Sequence, residues 1–318
     1  MHNMEQNPRV TVLLSVFNDQ DYIGEAIESV LGQTFKDFEL LIVDDCSTDS
    51  TVEIIKGYSD PRIRLVVNDR NIDISRSLNK GLGLARGKYI ARHDSDDISM
   101  PQRLERQVDF LDKNKDIAAV GARTEFIDEG GGHTGYWNQE VFPEDIFYAL
   151  SYRCPLTSSS MTYDKGRIMS LGGYDESSSH AEDYELFYRV SRTYKIYVIP
   201  EYLVKYRVRE EQRLSKNHGP ISERSFEIAS RTKMDIGLLK FLQNRHQDTS
   251  FTEKLRLLKE LKRFHASIQK EGTRLGHRKT RLKTVCFKMA VFFSIKVLVG
   301  KKGKLFIKRV LRLGSNGW

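Results

Sequence analysis

Over the first half of the chain, short apolar runs alternate with stretches of helical spacing, the pattern of a parallel sheet with crossover helices. VTVLLSVF (Val10 to Phe17) is apolar almost throughout, as a strand buried on both faces must be. Ile23, Ala26, Ile27, Val30 and Leu31 follow at helical intervals, and FELLIVDD (Phe38 to Asp45) reads as the second strand. Ser50 with Glu53 predicts a capping box at the start of a short helix. Ile63, Leu65 and Val67 mark a third strand, Ile74, Leu78, Leu82 and Ala85 one helical stripe, and KYIAR (Lys88 to Arg92) a fourth strand. Pro101 is expected at the first position of the next helix, with Leu104, Val108 and Leu111 inward, and IAAVG (Ile117 to Gly121) closes this half.

From about Glu144 the units become mixed. A helix is expected near Ile146 to Leu150, then a segment around Ser158 to Tyr163, a Gly172-Gly173 turn, and a helix carrying Leu186, Phe187 and Val190. Two short strands, IYVI (Ile196 to Ile199) and YLVKYR (Tyr202 to Arg207), follow. Beyond Pro220 the pattern reads as helical to the end, with Leu255, Leu258, Leu261, Phe264 and Ile268 on one face. This divides the chain into an α/β part, 1–220, and a helical part, 221–318.

Charge sharpens that division. The net +8 conceals a run from Arg278 to Arg312 with twelve Lys or Arg and no acid, so the remainder holds 39 basic against 43 acidic residues, a net of −4. TVCFKMAVFFSIKVLVG within this run is interrupted by Lys288 and Lys296, too short and too charged to span a bilayer, which takes about 20 apolar residues. It predicts a helix resting on an anionic membrane surface, or a basic helix packed on the domain. Nucleic acid is not an expected partner, because the tail does not interleave aromatic with basic residues for base stacking. Cys46, Cys154 and Cys286 stand far apart without CxxC pairing, which points away from a disulfide framework or a thiolate metal site. The opening MHNMEQNPRV lacks the basic and apolar regions of a signal peptide, so the expectation is a cytoplasmic protein at the inner face of the cell membrane.

Acidic clusters at strand ends carry the candidate chemistry. Asp44 and Asp45 lie where open α/β sheets bind ligands, while the neighbouring Ser47 and Asp49 read as turn formers and helix caps. His93-Asp94-Ser95-Asp96-Asp97 is the sharper signal: three carboxylates within four positions repel one another unless a cation or a donor network holds them, and Mg²⁺ or Mn²⁺ takes such oxygen ligands together with substrate phosphates. Glu182 and Asp183 open a helix, where acids also serve the helix dipole. His133, His180 and His218 are isolated, His93 receives no ligand role, and Gly130-Gly131-Gly132 reads as a turn rather than a phosphate loop.

LLSVFND, LLIVDDCSTDST, NIDISRSLNKGLGLARGKYIARHDSDDISMPQRLERQ and GGYDESSSHAEDYELFYRVS occur in the order and spacing of the inverting family 2 glycosyltransferases, and from Pro8 to Arg207 the chain resembles that family. The resemblance implies a GT-A fold, a Rossmann-like α/β domain with the donor across the carboxyl ends of the strands. It also implies roles. The backbone near Ser15 and Phe17, with Asp44 or Asp45, would hold the base of a nucleotide sugar, most often UDP; Asp94 would hold the ribose, with Ser95 beside it in the donor site. Asp96, with Asp94, would carry Mn²⁺ or Mg²⁺, Asp97 and Arg103 would support this shell, and Asp183 would be the catalytic base, with a glycan or lipid-linked glycan as acceptor. Asp73 stands where the family often has Gly, and Leu78 where an Arg is frequent. A Q-x-x-R-W string is absent, which favours single addition over processive polymerisation. The alternative is a nucleotide-sugar-binding subunit without turnover, which the intact Asp94, Asp96 and Asp183 disfavour.

Overall fold

The computed structural model describes residues 7–178, 181–209 and 251–288. The first strand is β1 (Val10–Val16), followed by α1 (Ile23–Leu31), β2 (Phe38–Asp44), α2 (Thr51–Lys56), β3 (Ile63–Val67), α3 (Ile74–Leu84) and β4 (Tyr89–Asp94). Then come β5 (Ile98–Ser99), α4 (Arg103–Lys113), β6 (Ile117–Ile127), β7 (His133–Trp137) and α5 (Pro143–Ala149). A 3-10 turn (Ser158–Ser160) leads to β8 (Thr162–Asp164), α6 (Lys165–Ser170), α7 (Glu182–Thr193), β9 (Lys195–Arg207) and α8 (Phe251–Arg274). Residues 279–288 are helical again.

One sheet organises the molecule, in the order β3-β2-β1-β4-β8-β6-β9-β5, with β7 paired to β6. Pairs among β1 to β4 are parallel, as crossover helices require, and β8 enters antiparallel between β4 and β6. Side chains alternate along the central strands into two layers. Val12, Leu14, Leu40 and Ile42 face Ile27 and Val30 of α1, Ile55 of α2 and Val108 of α4. Leu13, Leu41, Val43 and Ile90 face Leu78 and Leu82 of α3, Ile146 near the start of α5, Ile168 of α6 and Leu186 and Phe187 of α7. Gly81 lets α3 lie directly on β1, since a Cβ there would meet Leu13 Cδ1 at 2.3 Å. A third apolar cluster joins Phe147, Tyr148 and Tyr152 to Leu257, Leu261, Phe264 and Ile268 of α8 and to Leu282.

Several expected boundaries move. Ser50 is the N-cap of α2 but makes no side-chain capping bond; Asp49 Oδ1 accepts from Thr51 N at 3.0 Å instead, so there is no capping box. Pro101 precedes the N-cap Gln102 rather than occupying the first turn of α4. The two short strands around Pro200 are one strand, β9, because its pairing with β6 absorbs the interruption through register shifts near Ala122 and Arg123. The same pairing draws β6 out to Ile127. Leu78, in place of the frequent Arg, is buried in the core. His180, His218 and most of the basic tail lie outside the described residues.

Candidate active site

Pairing register brings the strand ends together before any loop is considered. Ser15 stands opposite both Val43 and Asp94, so Ser15, Asp94 and, one step beyond Asp44, Asp45 share the sheet face covered by α3 and α7. These residues line a cavity of about 390 Å³ with Phe17, Asp19, Asn71, Asp73, Ile74, Ser95, Asp96, Tyr206 and Arg209. Phe17 is 48% exposed at its mouth. Asp44 points to the other layer and does not line this cavity; its Oδ1 accepts from Ser47 N at 3.0 Å, and its buried Oδ2 has no hydrogen-bond partner among the described residues. Asp45 Oδ1 accepts from Asn68 Nδ2 at 2.8 Å and from Ile72 N at 2.9 Å, which fixes the loop after β3 against the cavity. That loop ends at Asp73 with φ 77° and ψ 155°, a conformation that belongs almost exclusively to glycine. The family's frequent Gly at this position therefore has a backbone reason. Asn18 and Cys46, at φ 51° and 68°, bend the other two loops of the rim.

A charged network crosses the floor. Asp94 pairs with the buried Arg92, whose other terminal nitrogen donates to the His93 carbonyl. Asp96 Oδ2 accepts from Arg209 Nε at 2.9 Å, and Arg209 also donates to Asp19, which accepts from Ser95 Oγ as well. Burial, and then the charge of Asp94, raise the Asp96 carboxyl to about 6. Asp97 points away from the cavity and is fully buried, accepting from Arg207 N at 2.8 Å and from Ser159 Oγ. Arg103 donates to the Arg92 carbonyl at 2.7 Å, to Ser99 Oγ at 2.9 Å and to Gln107 Oε1 at 3.2 Å, so it braces the end of β4 from behind. His93 is wholly buried, and desolvation with the nearby Arg103 holds its imidazole down to about 3.

Among the described residues no three His, Cys, Asp or Glu converge as a metal cluster. The donor set nevertheless suits a hard divalent cation that completes its shell from a ligand: Asp94 and Asp96 face one cavity, and their mutual repulsion is what a cation relieves. Arg209 supplies that compensation in this structure.

A second cavity, of about 280 Å³, opens beside the first and shares Ile74, Asp94 and Tyr206 with it. Its other lining residues are Arg92, Phe126, Trp137, Leu156, Thr157, Ser158, Glu182 and Asp183. Asp183 and Glu182 stand in the first turn of α7, placed there by the turn at Gly172 and Gly173 (φ 89° and 70°) and by Asn79 of α3, whose side chain accepts from Tyr174 N at 2.8 Å and donates to its carbonyl at 2.9 Å. Asp183 Oδ1 accepts from Tyr184 N at 2.6 Å. Burial raises the Asp183 carboxyl despite that bond, and burial followed by the charge of Asp183 raises Glu182 to about 7.

The sequence reading missed Asp19, Arg209, Tyr206 and Trp137. Asp19 was accessible to the same argument as Asp44, since it closely follows the end of β1. Arg209 and Tyr206 reach the site from the end of β9, and Trp137 from the hairpin on β6, so only the pairing of distant strands reveals them.

An α/β sheet with acidic strand ends over two adjoining cavities is the frame of a GT-A glycosyltransferase. The chain belongs to glycosyl transferase family 2, whose family model matches residues 11–175. It is 36% identical over 206 residues to an uncharacterized glycosyltransferase of Methanocaldococcus jannaschii, covering 63% of this chain and 71% of that protein. It is also 41% identical over 129 residues to the succinoglycan biosynthesis protein ExoO of Rhizobium meliloti, covering 38% of this chain and 37% of that one. Its fold is similar to that of S. aureus TarS solved in complex with UDP-GlcNAc, with a TM-score of 0.60 at 18% identity over 92% of each chain.

Proposed function

We propose that this glycosyltransferase moves a single sugar from a nucleotide-diphosphate sugar, a UDP-sugar by preference, to a hydroxyl of a glycan or lipid-linked glycan, with inversion at the anomeric carbon. One observation carries the reading: two cavities meet at Asp94 and Tyr206, one lined by Asp45, Asp94 and Asp96, the other by Asp183. A donor in the first cavity would bring its anomeric carbon to this junction. The acceptor hydroxyl would attack from the second cavity, forming the new C–O bond as the bond to the diphosphate breaks, with the electron pair leaving on the phosphate oxygen and the proton passing to Asp183.

A positioned carboxylate base contributes roughly 10²- to 10⁴-fold to such a step. Burial favours the role, because it raises the Asp183 carboxyl and so makes it a stronger base towards the acceptor proton. Glu182 is the reserve candidate. Asp94 and Asp96 would hold Mn²⁺ or Mg²⁺, which when bound stabilises the charge that develops on the leaving diphosphate. Arg209, now on Asp96 and Asp19, would exchange those partners for phosphate oxygens. Support for the donor comes from the TarS structures with UDP and with UDP-GlcNAc, and support for a polysaccharide acceptor from the name of ExoO.

The reading extends to the membrane. Among the described residues no helix is long and apolar enough to cross one. Arg278 and Arg281, at the start of the basic run, are engaged by Glu144 and Asp145, whereas Phe287 is 70% exposed. On this reading the first turns of the run dock on α5, and the remainder serves a surface of anionic lipid. Purified protein tested with a panel of nucleotide sugars, with and without Mn²⁺, should hydrolyse or transfer from one of them in a metal-dependent way; no turnover with any donor would refute the function.

A further inference from the structure

The second cavity has a two-sided chemistry that the transfer reading leaves unexplained. One wall is aromatic: Trp137 lies nearly parallel to Phe126, with ring centroids 6.2 Å apart and planes 18° apart, and Phe126 meets Tyr206 edge-on at 6.0 Å. The lining also carries polar groups, Thr157, Glu182 and Asp183. Thr157 Oγ1 accepts from Thr124 Oγ1 at 3.1 Å and from Gln139 Nε2 at 3.0 Å, which leaves its own hydroxyl proton to donate. A lipid chain would gain nothing from the polar groups, and a peptide would not need one broad indole. A pyranose ring presents the same division, with C–H bonds on one face and hydroxyls around its edge.

We propose, resting on the glycosyl-transfer reading, that Trp137 is the platform by which this cavity selects its acceptor: the terminal pyranose lies with its C–H face on the indole and its edge hydroxyls toward Thr157 and Glu182. The platform is held by the sheet, since Trp137 ends β7 opposite Thr124 of β6 and its ring lies nearly parallel to that of Phe126. Tyr206 belongs to both cavities, so the same aromatic wall registers the acceptor against the donor. The volume of about 280 Å³, at the small end of ligand pockets, suits recognition of one ring at the end of a longer acceptor.

The chain has two tryptophans, Trp137 and Trp318, so Trp318→Phe leaves Trp137 as the only tryptophan. Its fluorescence is titrated with methyl glycosides of glucose, galactose and N-acetylglucosamine, with UDP and Mn²⁺ present. The proposal expects a saturable change in emission with at least one glycoside. The same glycoside should accept sugar or speed donor turnover. Trp137→Ala should raise its KM roughly tenfold, a larger effect than on kcat, and Trp137→Phe should recover most of that loss. The idea is overturned by glycosides that leave the emission flat while the donor is consumed, or by an unchanged acceptor KM in a folded Trp137→Ala protein. Saturable quenching without turnover of any donor would instead strike the transfer reading and leave the sugar site standing.

Discussion

Replacing Asp73 with glycine removes a cavity-lining side chain and should nevertheless stabilise the protein. At φ 77° and ψ 155° the Asp73 backbone is strained, which for a residue with a Cβ costs on the order of 1–3 kcal/mol. Two terms oppose the gain. A glycine is freer in the unfolded chain, costing about 0.4–1 kcal/mol, and the cap on Ile74 N, made by Asp73 Oδ1 at 2.7 Å, is replaced by a glycine N-cap only a few tenths of a kcal/mol weaker. The net is a stabilisation of about 1 kcal/mol. Asp73→Ala keeps the strain and loses the cap, so it should be destabilised by about 1 kcal/mol. The two variants therefore move in opposite directions from the parent and differ from each other by about 2 kcal/mol. Urea denaturation followed by circular dichroism reads this as midpoints moved up for glycine and down for alanine at an unchanged slope. An alanine variant as stable as the glycine variant would refute the strain argument.

Asp96→Asn should abolish most metal-dependent turnover and weaken Mn²⁺ affinity; unchanged affinity with lost activity would reassign the ligand within Asp94 to Asp97. Burial holds His265 and His277 down to about 4, from an ordinary 6.5, where α8 meets α5. Both are neutral in the folded state, so their contribution is intact above about pH 6.5 and is lost as pH falls towards 4; His265→Gln, retaining an acceptor for Tyr148 Oη, should lessen that acid loss, and a pH profile identical to the parent's would contradict it. Protein ending near Gly276 should lose binding to anionic vesicles at low salt if the basic run is a membrane contact, whereas full-length protein indifferent to such vesicles would exclude one.

The sheet was legible because its central strands are buried on both faces and read as continuous apolar runs from Val10 and Phe38. Helix positions followed from periodicity, but their ends did not, since Asp49 rather than Ser50 supplies the side-chain bond at the start of α2. The apolar pattern gives two short strands on either side of Pro200 and Glu201 where the structure has one, β9, because its partner β6 accommodates the interruption through register shifts. In the site, carboxylates at strand ends stood out, and alternation along β2 sent Asp45 to the cavity and Asp44 behind it. Arg209, Tyr206 and Trp137 carry no local signature. Their contribution depends on sheet neighbours far away in sequence.

Asp183→Asn separates a base that takes the proton of the acceptor hydroxyl from a residue that only shapes the start of α7. Turnover with a competent donor and acceptor is compared with nucleotide-sugar affinity measured on the same protein. Removing the base while keeping the shape and the first helical turn should lower kcat by about two orders of magnitude or more and leave donor affinity and folding nearly intact, with Glu182→Gln doing less. Near-normal turnover in Asp183→Asn would rule Asp183 out as the base, and a collapse of donor binding would make the residue structural.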